Sequence, residues 1–157
     1  DILIYDRPEN LIGGDVPTND LFIDMINTLN LDADYYFQTH ATNPLLKVET
    51  IDDCIERFVN YGIPQYDSFF TTIDIQEYFW KNDKAYNFCV KELPNSFELD
   101  VLKMETHGLY GITTNSLLEH KTRIGKNPMM ITIPKIESLD VNIKEDLELI
   151  ERLINVT

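Results

Sequence analysis

The sequence predicts an α/β domain, a three-layer arrangement of sheet and helices carrying an inserted hairpin region. Three observations lead there. Strand-like and helix-like periods alternate at both ends of the chain. The middle is β-rich instead. The seven prolines and six glycines are scattered as turn punctuation, with no repeat or linker, so residues 1–157 read as a single domain.

Taken in order, residues 2–5 read as a short strand and 7–17 as an irregular loop holding Gly13 and Gly14. Leu21, Phe22, Met25, Ile26 and Leu29 recur at helical spacing behind Thr18 or Asn19 as N-cap. Residues 34–37 form the next strand. Thr50 caps a helix whose buried stripe is Ile51, Cys54, Ile55, Phe58 and Val59, with Asp53 as a weakened capping box. Gly62 is expected to end it in the left-handed C′ conformation. Residues 66–72 read as a strand, 78–90 as a hairpin around Lys81-Asn82-Asp83-Lys84, and 92–100 as a proline-containing loop. A strand over 104–113, a short helix over 115–120 and a strand over 129–133 follow. Asn142 then caps a helix over 143–154, with Glu145 at its third position and Ile143, Leu147, Ile150 and Ile154 as its inner stripe.

Composition narrows the function. Against 13 Lys and Arg stand 27 Asp and Glu, a formal charge of -14. Such a surface opposes non-specific binding to nucleic acid, which depends on Lys and Arg neutralising phosphates. It favours solubility. No apolar run approaches the roughly 20 residues of a membrane helix, so no membrane partner is expected. Cys54 and Cys89 are too few for a disulfide scaffold and lack metal-ligand spacing, which points to reduced thiols in a cytoplasmic protein. Asn155-Val156-Thr157 matches a glycosylation sequon, but nothing else suggests secretion. The chain begins with Asp inside a strand-like run, so a fragment lacking its first segment is expected.

Three constellations could carry chemistry. Gln38, Thr39, His40, Thr42, Asn43 and Lys47 follow the second strand and place donors, acceptors and a cation at its carboxyl end, where open α/β sheets bind ligands. A polar connection that only caps the next helix has the same composition. Asp140 and Asn142 alternate onto one side of an extended segment, as two oxygen donors for a hard cation such as Mg²⁺ must. A surface turn and a helix cap are the other reading. Lys121, Arg123 and Lys126 form the one dense basic spot, suited to a carboxylate or phosphate or simply solvated. His40 could contact a ligand. His107, inside a strand, reads as a packed or hydrogen-bonded residue rather than a base. There is no nucleophilic triad and no glycine-rich phosphate loop.

The runs YDRPENLIGGDVPTNDLF, DADYYFQTHATNPLLKVETIDDCIERF, YDSFF, METHGLYGIT, RIGKNPMMITIP and ESLDVNIKEDLELIERL, in this order, resemble the acylneuraminate cytidylyltransferases, the CMP-sialic acid synthetases. The resemblance implies a Rossmann-like nucleotide-diphospho-sugar transferase fold with a mixed sheet. It implies transfer of CMP from CTP to a nine-carbon α-keto acid sugar, with Mg²⁺ as cofactor and pyrophosphate released. The anomeric hydroxyl would attack the α-phosphate. Related enzymes serve Kdo, legionaminic acid and pseudaminic acid. The family segment holding the first strand and its phosphate-wrapping loop is expected to lie before residue 1.

Within the resemblance, Gln38, Thr39, Asn43 and Lys47 fall on the strand-end motif Q-P-T-S-P-L-R, whose glutamine contacts the acid sugar. This chain inserts His40-Ala41 there and has Lys47 for the arginine. Asp140 and Asn142 fall on I-D-I-D, whose two aspartates hold Mg²⁺, so Asp140 is the implied catalytic carboxylate. Asn142 departs from the second aspartate and removes one negative charge. Arg123 falls on the arginine near the sugar carboxylate. The excursion at about 76–103 resembles the dimerisation region, implying a homodimer. The alternative is a non-catalytic or truncated member, serving only as a binding or dimerisation module.

Overall fold

The structure, a computed structural model, describes residues 2–155. Its ordered elements are α1 (Thr18–Thr28), β1 (Tyr35–Thr39), α2 (Val48–Glu56), β2 (Ser68–Ile75), β3 (Trp80–Lys81), β4 (Lys84–Ala85), β5 (Leu102–Thr113), α3 (Thr114–His120), β6 (Pro128–Thr132) and α4 (Lys144–Ile154). Four strands make one mixed sheet in the order β1-β5-β2-β6. The long strand β5 runs antiparallel to both neighbours, and β2 pairs β6 in parallel. It follows that β1, β2 and β6 share one direction, and the chain leaves all three at the same edge.

Strand alternation sorts the apolar side chains onto two faces. Phe37 and Phe69 both stand opposite Gly111 in register, and their rings lie 6.1 Å apart across it. A Cβ at Gly111 would sit 2.1 Å from the Phe69 ring, so the close approach of the two rings requires glycine. On this face Phe69, Ile73, Leu109 and Ile131 pack with Cys54 of α2 and with Phe58 in the turn that continues it. Full burial of a ring such as Phe58 or Phe69 contributes about 1.5–3 kcal/mol. Tyr36 and Ile112 point the other way and pack with Phe22 and Ile26 of α1 and Leu117 of α3. Helices therefore cover both faces.

Several local expectations are corrected. Residues 2–5 form no strand; no other strand pairs with them, and Ile2 and Ile4 are 95% and 83% exposed. α2 starts at Val48, ahead of Thr50. The buried carboxylate of Glu137 accepts from the Lys47 N–H at 3.2 Å, so a distant anion replaces the local hydroxyl at this helix end. Gly62 is not left-handed: among the described glycines only Gly13 has a positive φ. α2 instead widens into a π turn over Arg57–Gly62 and leaves through extended Ile63, the conformation imposed by the following Pro64. α4 is capped by neither Asn142 nor Glu145. Asp146 accepts from the backbone N–H groups of Asn142 at 2.9 Å and Ile143 at 3.0 Å. α1 begins after Pro17 without a side-chain cap, which leaves the Asn19 amide for another task. The hairpin forms where expected, with Trp80 opposite Ala85 and both Asn82 and Asp83 at positive φ in its turn. The 92–100 loop holds a 3-10 turn at Ser96–Glu98. The sequon at 155–157 extends beyond the described residues.

Candidate functional site

The segments that follow β1 and β6 emerge together and are stitched to each other. Val141 N–H donates to Thr42 C=O at 2.8 Å. The Asn43 amide donates at 3.3 Å to the carbonyls of both Thr106 and Leu139. Asn43 is thus a buried tie among three segments, with its Oδ1 left without a partner among the described residues. Between β2 and β5 the register jumps from Phe70–Tyr110 to Thr72–Glu105, so β5 bulges at Thr106–Gly108. His107 sits on that bulge at φ 58° with an exposed side chain, so of the two alternatives, packed or polar-partnered, it takes the second, 4.0 Å from Asp140.

Register places Gln38 directly opposite Tyr110, which puts their side chains on one face. Arg123 lies over that face. Its guanidinium carbon is 3.8 Å from the centre of the Tyr110 ring. One of its nitrogens donates to the Tyr110 hydroxyl at 3.0 Å, and another lies 3.0 Å from His40 Nε2. A guanidinium can only donate, so Nε2 is the acceptor and the His40 ring is neutral with its proton on Nδ1. Burial lowers the His40 pKa first, with Arg123 and His107 adding to it, while Asp140 opposes them. The Tyr110 hydroxyl donates to Glu105, whose carboxylate is 4.0 Å from Arg123. Burial and that hydrogen bond raise the Tyr110 pKa. Tyr110 is therefore a neutral plate under a cation.

Asp140 lies across the bulge. His107 Nδ1 is 4.0 Å from its Oδ2, which also accepts from the Asn142 amide at 3.0 Å. Asp140 Oδ1 is buried without a partner among the described residues, as is Gln38 Oε1. The resemblance implies that Gln38, Arg123 and Asp140 serve one acid sugar and its metal. The structure sets Gln38 and Asp140 in two adjoining hollows, with Arg123 lining neither. Tyr5, Arg7, Phe37, Gln38, Thr39 and His40 help to line a cavity of about 550 Å³. Glu105, His107, Asp140 and Asn142 help to line another of about 410 Å³. Arg123 bridges their walls through His40 and Glu105. Lys47 is exposed at the start of α2 and lines neither cavity, its backbone being tied to Glu137.

Among the described residues no three His, Cys, Asp or Glu side chains are grouped to hold a metal ion. Asp140 with the Asn142 carbonyl could supply part of a Mg²⁺ shell, because Mg²⁺ takes one or two protein oxygens and completes its shell with water and substrate phosphates. The free Oδ1 of Asp140 fits that role; the amide nitrogen that Asn142 now turns to Asp140 does not.

Arg7, Tyr110 and Glu105 belong to this region and sequence reading missed all three. Tyr110 and Glu105 sit in a run that reads only as a strand, and their role depends on the register with Gln38 and on the bulge. No family model matches the chain, and no curated protein matches it. Among the described residues no helix is long and apolar enough to cross a membrane.

Proposed function

We propose that this chain transfers CMP from CTP to a sialic-acid-like nonulosonic acid and releases pyrophosphate. The reading places the chain on a three-layer, Rossmann-like nucleotide-diphospho-sugar transferase fold. One observation carries it: Gln38, His40 and Arg123, from two separated segments, meet at Tyr110 where β1 ends, and Asp140 lines the adjoining hollow that Arg123 borders through Glu105. Open α/β sheets bind ligands in such a place.

In this reading Arg123 binds the sugar carboxylate, as its planar fork suits two oxygens. Tyr110 holds the guanidinium flat, and Glu105 fixes the Tyr110 hydroxyl. Gln38 hydrogen-bonds the sugar through its unpartnered oxygen. Asp140 Oδ1, with the Asn142 side-chain oxygen once that amide turns over, would hold Mg²⁺, which would neutralise triphosphate charge when bound. The anomeric oxygen then attacks the α-phosphorus as the bond to the pyrophosphate breaks, a step that depends on positioning and charge more than on covalent catalysis. The protein works in the cytoplasm as a homodimer through the 76–103 excursion. The contact between the Asn142 amide nitrogen and Asp140 favours a second reading, a binding module without turnover.

Pyrophosphate release tests the proposal, with CTP, Mg²⁺ and, in turn, N-acetylneuraminic, Kdo, legionaminic and pseudaminic acids. Release that requires one of the sugars is expected. Sugar binding without release on any of them would establish the module instead.

A further inference from the structure

We infer that Asp67 is the positioning residue for Arg123, acting through the loop that carries the arginine to the site. The inference rests on the reading of Arg123 as a carboxylate-binding residue. Arg123 lies in the connection from α3 to β6, which has no helical or strand hydrogen bonds of its own. A long cationic side chain on such a loop has many conformations, and fixing one of them must come from elsewhere. Two anchors do this. On the near side, Arg123 N–H donates to the Asn19 side-chain oxygen at 3.0 Å. On the far side stands Asp67, immediately before β2.

The Asp67 carboxylate collects donors from three segments. Lys126 N–H lies at 2.8 Å and Asn127 N–H at 3.1 Å, both from the Arg123 loop. Ser68 Oγ donates at 2.9 Å and Ser116 Oγ, on α3, at 3.2 Å. Ser68 Oγ in turn accepts from Gly125 N–H at 2.9 Å. The loop main chain is thereby drawn onto the sheet edge at three consecutive residues, only two positions after Arg123. Gly125 makes the approach possible: a Cβ there would lie 2.4 Å from both Asp67 Oδ1 and Ser116 Oγ. Burial alone would raise the Asp67 pKa, but these hydrogen bonds outweigh it and hold the carboxyl below its usual value. Hydrogen bonds to an ionised acceptor are roughly twice as strong as neutral ones, so this anchor holds the loop main chain firmly. No atom of Asp67 lines either cavity.

The test reads Arg123 directly. Its guanidinium lies on the Tyr110 ring, so the Arg123 Nε–H resonance is expected to be displaced upfield by the ring in the native protein. Asp67→Asn and, independently, Gly125→Ala are expected to abolish that displacement in folded protein. With sugar and CTP they are expected to raise the KM for the acid sugar roughly tenfold to hundredfold, with kcat and the KM for CTP nearly unchanged. Gly125→Ala leaves Asp67 intact and decides the matter if Asp67→Asn does not fold. An Arg123 signal that keeps its displacement in Gly125→Ala, or in folded Asp67→Asn, overturns the inference and leaves Asp67 a purely structural residue. A displaced signal lost in the variants, with no pyrophosphate released by the unaltered protein, upholds the positioning role and refutes the cytidylyl reading alone.

Discussion

The two ends of β5 are built on opposite terms. Its C-terminal half, Leu109 to Ile112, is buried, paired on both sides and bonded into the polar group around Tyr110. Its N-terminal end pairs only with β2 and leads from the 76–103 excursion, where Tyr78, Trp80, Tyr86, Val90, Leu93 and Phe97 are all exposed. In the first region polar groups are spent on one another and apolar groups are covered. In the second, a two-stranded hairpin closes locally around Trp80, Tyr78 and Phe88 without joining either apolar cluster. The contrast separates what holds the domain together from what it presents outward.

Substitutions on the two sides should therefore differ sharply. Phe58→Ala empties a fully buried site between α2 and the sheet and should cost about 3–5 kcal/mol in urea unfolding. Trp80→Ala, larger in volume but 59% exposed, should cost less than about 1 kcal/mol. Equal losses would mean that the hairpin belongs to the cooperative core.

A smaller effect sharpens the reading of the polar side. Asn142→Asp places a second carboxylate beside Asp140 and removes the amide that now donates to Asp140 Oδ2. Titrating Mg²⁺ in the presence of CTP should show roughly tenfold tighter binding, since ligand charge sets affinity at oxygen sites. Unchanged affinity would remove Asn142 from the metal shell.

The smallest effect separates the two thiols. Cys54 is buried in the apolar cluster and Cys89 lies exposed in the excursion. Burial pushes the Cys54 pKa up to about 11. A raised folded-state value favours the native protein below the unfolded value of 9.0, and that contribution is lost as pH rises from there through about 11. At neutral pH iodoacetamide should label Cys89 alone in native protein and both cysteines in urea, because the thiolate is the reactive form.

Legibility in the sequence follows the same division. Most of the strands and helices that bury an apolar stripe were readable, because Phe58 or Ile112 shows its period locally, but of the stripe expected on α4 only Ile150 is buried while Ile143, Leu147 and Ile154 are exposed. The hairpin turn was readable because Asn82-Asp83 tolerates positive φ. Helix starts were misread wherever a distant carboxylate intervened, as Glu137 does for α2. Gln38, Arg123 and Asp140 stood out by residue type. Their division into two hollows did not, because it follows from the Arg123–His40 pair, whose members lie 83 residues apart. Asp67 gave no signal beyond being an acid before a strand, since its partners other than the neighbouring Ser68 come from residues 116, 126 and 127.

A paramagnetic ion would test the convergence of metal and anion sites most directly. With CTP present and Mn²⁺ replacing Mg²⁺, the His40 ring and Arg123 Nε signals should broaden strongly, and Asp140→Asn should abolish the effect. Broadening that leaves His40 and Arg123 untouched, or that survives the loss of the Asp140 carboxylate, would contradict a divalent ion and an acid sugar meeting at this edge of the sheet.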